Sequence, residues 1–310
     1  MKISAVVRIV IWSIVAIICY GVLSAGLHGQ GQLFSWLNSS FKAGGYGYSN
    51  SDKYAEGGGS VASADIQSVE IKWIAGSVEV APYDGGMIQF DEEISGVGGE
   101  KYAMRYLAEN GKLVIQFGPP HRDLRFFQKY RKSLTVKIPY DLALRDFKVN
   151  SVSADIRLEG VRAHNLDVKS VSGSMSLEDT GGDTMTLANV SGHINVGYKD
   201  TTASELRAKT VSGHINVEAK AVMAKLNTVS GSVKLYAGED VKDVDIGTVS
   251  GGITLGLPEN DGFNARYSSV SGRFNSEFPV EISGKHGIYK NGDIEISLGT
   301  VSGGINIVRR

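Results

Sequence analysis

A tripeptide recurs along the second half of the chain. Val-Ser-Gly begins at Val171, Val190, Val211, Val229, Val249, Val270 and Val301, and Val152-Ser153-Ala154 is a near-copy ahead of them. From Val152 to Val270 the starts lie roughly 20 residues apart, the length of one unit in a stacked array and far beyond any helical period. Counted from each Val, an apolar residue recurs five and three positions before it and four and six after it. One copy carries Leu166, Val168, Val171, Met175 and Leu177; another carries Val244, Ile246, Val249, Ile253 and Leu255. Val69, Ile71, Ile74, Val78 and Val80 fit the same frame, with Gly76 at the bend.

Alternation on either side of Ser-Gly predicts two short strands joined by a corner, with the Val counted among the inward residues. Glycine suits a corner because it enters positive φ without a Cβ penalty. The serine can bond nearby backbone or stack on its copy one layer away. The expected structural corner residues are therefore Gly76, then Val171, Ser172, Gly173, Val190, Ser191 and Gly192. They continue through Val211, Ser212, Gly213, Val229, Ser230, Gly231, Val249, Ser250 and Gly251, and end with Val270, Ser271, Gly272, Val301, Ser302 and Gly303.

One such unit buries too little apolar surface to offset its ordering entropy. Stacked at ~4.8 Å, each strand hydrogen-bonds to its copies above and below, and the aliphatic residues form one column. The expected fold is thus all-β: a single-domain β-solenoid over residues 65–310, built from stacked rungs of about 20 residues. A propeller blade needs about 40 residues and four strands, so the period excludes it. Antiparallel hairpin elements are expected near the front, where Tyr102 to Leu107 and Lys112 to Phe117 flank Asn110-Gly111, a two-residue turn signal. Between Val270 and Val301 the longer interval reads as a hairpin-like excursion covering the end of the stack. Arg309 and Arg310 then read as charges blocking further pairing at that end.

Ahead of the repeats, Ile9 to Leu27 is an uncharged apolar run preceded by Lys2 and Arg8. As a helix it measures about 28 Å against a hydrocarbon core of ~30 Å, which predicts a transmembrane anchor over 9–27. The basic flank predicts a cytoplasmic N-terminus over 1–8 and everything after the anchor outside the cell membrane. The alternative is a signal peptide cut at Ser24, Ala25 or Gly26, leaving a secreted protein; both readings export the domain. Residues 28–64, with the tracts Gly44-Gly45-Tyr46-Gly47-Tyr48 and Gly57-Gly58-Gly59-Ser60, read as a flexible Gly/Ser-rich linker. Cys19 is the one cysteine, so no internal disulfide exists, and Ile18 before it is too bulky for lipoprotein processing. With 32 basic and 33 acidic residues, nothing in the net charge draws the chain to nucleic acid.

The entry Gly76-Ser77-Val78-Glu79-Val80, the segment Leu134-Thr135-Val136-Lys137-Ile138-Pro139, the serial Val-Ser-Gly copies and the closing Gly299 to Ile307 together resemble the bacterial "putative adhesin" family of solenoid domains. The resemblance covers about residues 65 to 310. It implies a β-solenoid of the cell envelope, often behind a membrane helix, in some relatives beside envelope stress-response genes. It carries over no catalytic residue.

Candidate sites are few. His193 and His214 share a place in adjacent repeats, as do Asn195 and Asn216; two imidazoles lack the third ligand zinc wants, so ladders are expected. The segment from His121 to Lys132 interleaves aromatics with Arg122, Arg125, Lys129, Arg131 and Lys132. It is a candidate surface patch for anionic lipid headgroups or wall polymer, the alternative being a solvated loop whose aromatics pack onto the rungs. The acidic clusters Asp91-Glu92-Glu93 and Glu239-Asp240 do not recur between repeats, and the corner serines have no partnered base, so no catalytic residue is expected. Asp179-Thr180-Gly181-Gly182-Asp183 and Asn260-Asp261-Gly262 lack a regular calcium-loop pattern, and no metal or cofactor is expected. The functional expectation is a membrane-anchored, extracytoplasmic binding, adhesion or scaffold module, non-catalytic, whose partner is an envelope polymer or a membrane protein. The alternatives are an accessory of envelope-stress signalling and a carbohydrate-active β-helix enzyme.

Overall fold

The computed structural model describes residues 41–42, 45–95, 100–120, 131–197 and 201–310. Two compact units divide the chain. In the first, Met1–Ser49 with Pro120–Leu124, the strand Phe41–Lys42 pairs antiparallel with Gly45–Tyr46. The second, Asn50–Pro119 with Arg125–Arg310, holds the repeats and is described from here on.

This unit is all-β and solenoid-like. Among its described residues the only helical turns are the three-residue 3-10 segments Ser51–Lys53, Ser63–Asp65 and Glu100–Tyr102. Each half-rung pairs in parallel with its copy one repeat away: Phe147 with Leu166, Leu166 with Met185, Met185 with Leu206, Leu206 with Ala224 and Ala224 with Val244. The half after the corner does the same, through Ile156, Met175, Ile194, Ile215, Val233 and Ile253. Parallel pairing at one-repeat offsets satisfies the backbone of these layers from their neighbours, and the inward residues fill the interior. Leu166, Val168, Met175 and Leu177, and their equivalents Val244, Ile246, Ile253 and Leu255, are all fully buried.

The corner departs from the expected pattern in an instructive way. Strict alternation from the residues at minus five and minus three continues to minus one, and that residue, not the Val, points inward. Thr210, Thr228, Thr248 and Thr300 are buried, whereas Val249 and Val301 are about half exposed and Val270 is 82% exposed; only Val171, at 8%, is buried. Counting the Val as core was therefore an error of parity, made because valine is apolar. The threonine earns its buried place by donating its hydroxyl to the glycine carbonyl one layer back: Thr228 to Gly213 at 3.2 Å, Thr248 to Gly231 at 3.1 Å and Thr300 to Gly251 at 3.1 Å. Asn189 serves Gly173 in the same way at 2.7 Å.

The glycines also owe their place to stacking more than to φ. Gly76, Gly173, Gly192, Gly231, Gly251 and Gly303 have positive φ, but Gly213 and Gly272 do not. What the column shares is closeness: a Cβ on Gly192, Gly213, Gly231 or Gly251 would lie 2.0 to 2.3 Å from the corner carbonyl oxygen of the layer behind. No side chain fits there.

The layers do not follow chain order at the C-terminal end. Ser250 pairs with Ser302, and Ser302 with Ser271. The last rung, Ile294–Ser302 with Ile305–Arg309, is thus inserted between Asp243–Ser250 with Ile253–Leu257 on one side and Gly262–Ser271 with Phe274–Ser276 on the other. The Val270 copy forms the outermost layer. The excursion after it does cover that layer, since His286–Lys290 pairs antiparallel with Gly262–Ser271 and with Glu281–Ser283. Arg309 and Arg310 do not guard a free end, however. They lie on an interior rung, Arg309 bridging to Glu259 at 3.2 Å and Arg310 to Glu218 at 2.5 Å.

At the front, Ser68–Tyr83 is the first full layer, backed by Lys112–Gln116 and Arg131–Pro139. The hairpin Arg105–Glu109 to Lys112–Gln116 turns through Asn110 and Gly111, both at positive φ as the Asn-Gly signal requires. The expected flexible linker gives way to strands before residue 64: Ala55–Glu56 pairs with Arg105–Glu109, and Gly59–Ala62 with Met87–Ser95. These short segments cover edges that the hairpins would otherwise leave open. Among the described residues no helix is long and apolar enough to cross a membrane; the expected anchor at 9–27 and the tail at 1–8 lie outside them.

Candidate binding groove

Eight positions before four successive corner valines stands a small residue: Ala163, Gly182, Ala203 and Ala221. This is where each rung begins, and in register the small residues line up, Ala203 beside Gly182 and Ala221 beside Ala203. A column of small side chains on a stack of otherwise bulky rungs leaves a trough. The structure has one there, a groove of about 680 Å³ running from Ala143 and Leu144 to Asp240 and Lys242. It crosses six successive layers, which at ~4.8 Å each makes it about 24 Å long.

Its rim is polar and internally paired. Arg162 donates to the carboxylate and backbone carbonyl of Asp179, and His164 Nδ1 lies 2.8 Å from Asp183. Arg162 has room because Gly181 sits beside it: a Cβ there would meet the arginine side chain at 3.1 Å. Gly182 is tighter, since a Cβ would lie 2.5 Å from the Ala163 carbonyl oxygen. The Asp179 to Asp183 segment engages both basic side chains, Arg162 and His164. Its two carboxylates are spread to opposite partners, and Asp179 takes a left-handed φ of 48° to reach Arg162. Lys220, Asp240 and Lys242 complete the far rim, with Thr202 and Ser204 between.

A second depression of about 250 Å³ lies at the turn that leads into the groove, lined by Tyr83, Asp84, Gly85, Tyr140 and Asp141 among others. Tyr83 is fixed there, its ring over Gly85 and its hydroxyl donating to the Met87 carbonyl at 2.5 Å. Tyr140 is 63% exposed.

The residues singled out from sequence fall elsewhere. His193 and His214 stack with ring centroids 5.1 Å apart and planes 9° from parallel. Each Nδ1 accepts a backbone N–H from the next layer, from His214 at 3.1 Å and from Ser232 at 3.0 Å. Asn216 donates to Asn195 at 3.0 Å, forming the expected amide ladder. Of the basic segment, Arg122, Arg125 and Lys129 lie outside the described residues, and Arg131 is exposed. Lys132 is not a surface residue at all. Its side chain is fully buried, bonded to Glu92 at 2.9 Å and to the carbonyls of Tyr102 and Phe117, and its ammonium lies 4.7 Å from the Phe117 ring centroid. It stands opposite Gly76 at the first corner, plugging the column. Burial lowers its pKa, and Glu92 partly offsets that.

A family model described as Toastrack DUF4097 matches residues 66–308. No curated protein matches the chain in sequence. Among solved structures, a "putative adhesin" from Bacteroides fragilis is 11% identical, with a TM-score of 0.49 over 81% of this chain and 95% of its own. A "putative lipid binding protein" from Parabacteroides distasonis is 18% identical, with a TM-score of 0.48 over 81% and 95%. A "putative cell adhesion protein" from Clostridium sporogenes is 13% identical, with a TM-score of 0.31 over 83% and 100%. With identities this low and TM-scores under 0.5, none of the three bears on function.

Proposed function

The chain belongs to the Toastrack DUF4097 family, and from that premise we propose that it is a non-catalytic binding module of the bacterial cell envelope. The apolar run at 9–27 holds it to the membrane with the repeat unit outside, and the groove takes an extended polymer. The observation that carries this reading is the groove itself. A groove that crosses six layers, floored by small residues in the middle four, is a linear site, matched to a linear ligand and poorly matched to a compact one. Its walls are rigid because every layer is hydrogen-bonded on both sides, so little ordering cost falls on binding.

The test uses full-length protein in detergent micelles, co-sedimented with isolated envelope fragments. Ser204 is exposed and lines the groove, so Ser204→Trp obstructs it without touching the interior. The variant is expected to keep its thermal midpoint and lose about tenfold in binding. Undiminished binding by a folded Ser204→Trp protein would refute the groove as the site.

A further inference from the structure

Resting on that reading, we infer that the polymer is a linear, hydroxyl-rich glycan of near-neutral charge, and that Tyr140 is the platform on which one sugar ring stacks. Three observations converge. The first is charge: the rim holds both signs, with Arg162 and His164 already engaged by Asp179 and Asp183, and Asp240 beside Lys242. A polyanion selects an unbroken basic stripe and a polycation an acidic one. Alternating carboxylates, amines and hydroxyls suit a ligand that donates and accepts hydrogen bonds all along its length, as sugar hydroxyls do.

The second is the aromatic. Tyr140 lies two residues before Leu142 and three before Ala143, where the groove begins, in a depression it shares with Asp84 and Asp141. An exposed aromatic face beside carboxylates is the pairing that takes a sugar's apolar C–H face and its hydroxyl edge together. The third is spacing. An extended β-linked glycan advances by close to one strand spacing per sugar, so rungs at ~4.8 Å offer each sugar one layer of the groove, with its own polar side chains at the rim.

The experiment measures full-length protein in micelles against three probes: chitohexaose with its dimer as control, poly(glycerol phosphate), and envelope fragments. Chitohexaose is expected to bind at least about tenfold tighter than the dimer, with little dependence on salt. Tyr140→Ala should lose about tenfold and Tyr140→Phe should retain binding, since stacking needs the ring and not the hydroxyl. If envelope fragments bind and Ser204→Trp abolishes that binding while chitohexaose does not bind, or while poly(glycerol phosphate) binds in a salt-dependent way, the glycan inference falls and the groove stands. Chitohexaose binding that Tyr140→Ala leaves intact removes Tyr140 as the platform. Envelope binding indifferent to Ser204→Trp removes the groove reading as well.

Discussion

Gly251 and Gly299 belong to adjacent layers, the first at a corner and the second within a strand. A Cβ on Gly251 would lie 2.0 Å from the Gly231 carbonyl oxygen, at a φ of 156°, while nothing lies within 4 Å of one on Gly299. Gly251→Ala is therefore expected to cost about 3 kcal/mol or more in urea unfolding, and Gly299→Ala to fall within about 1 kcal/mol on the stabilising side. Equal costs would mean the corners are not stacked. The neighbouring pair tests the inverted corner. Thr248→Val orphans the Gly231 carbonyl and should cost about 1 kcal/mol, whereas Val249→Thr on the half-exposed side should change stability by less than about 0.5 kcal/mol. The opposite ranking would restore the Val to the core. At this scale the sequence showed that a residue type recurred but not which way it faced; the Thr, Asn or Ser before each Val was visible as a polar residue, and strict counting by twos would have turned it inward.

Among elements, the front of the unit was the least legible. Its strands Met87–Ser95 and Arg131–Pro139 bury alternate residues, but Lys132 looks like one more charge in a basic run until the register places it opposite Gly76. Its carboxylate partner, Glu92, is 40 residues away, and no local pattern couples them. Lys132→Met leaves the buried Glu92 carboxylate uncompensated and is expected to cost about 3–5 kcal/mol, most of which Glu92→Leu in the same chain should recover. Because burial lowers the folded-state pKa of Lys132 below 10.5, the unfolded chain binds the extra proton in the window between the two values. Stability from this group thus rises with pH as 10.5 is approached, and the double variant should lack that rise in a pH series of unfolding midpoints. A wild-type contribution that falls over the same window would contradict the assignment. The groove was legible in part: the small residue eight places before Val171, Val190, Val211 and Val229 is a repeat signal of its own. Its rim was not, because Arg162, His164 and Lys220 differ from rung to rung and acquire a common address only in register.

For the molecule as a whole, the period gave the stacked, all-β character of 65–310, and the family match over 66–308 falls on the same stretch. What the period could not give was the order of the last layers. Seven similar corners are interchangeable as patterns; the choice between them rests on a long connection, the 31-residue step from Val270 to Val301, that lets the chain pass one layer and return. The stack read off the chain would place Ser271 directly on Ser250, whereas the structure places Ser302 between them. Layer order is thus the sharpest test of the account, since groove, corner column and inserted rung all depend on the same in-register stacking. Cysteine pairs at these serines, in a Cys19→Ser background, report it directly, because a disulfide needs Cα atoms about 4.4–6.8 Å apart, one layer and not two. Mild oxidation is expected to close Ser250→Cys with Ser302→Cys, and Ser302→Cys with Ser271→Cys, and to leave Ser250→Cys with Ser271→Cys reduced. Ready closure of that last pair, with the first two open, would contradict the stacking described.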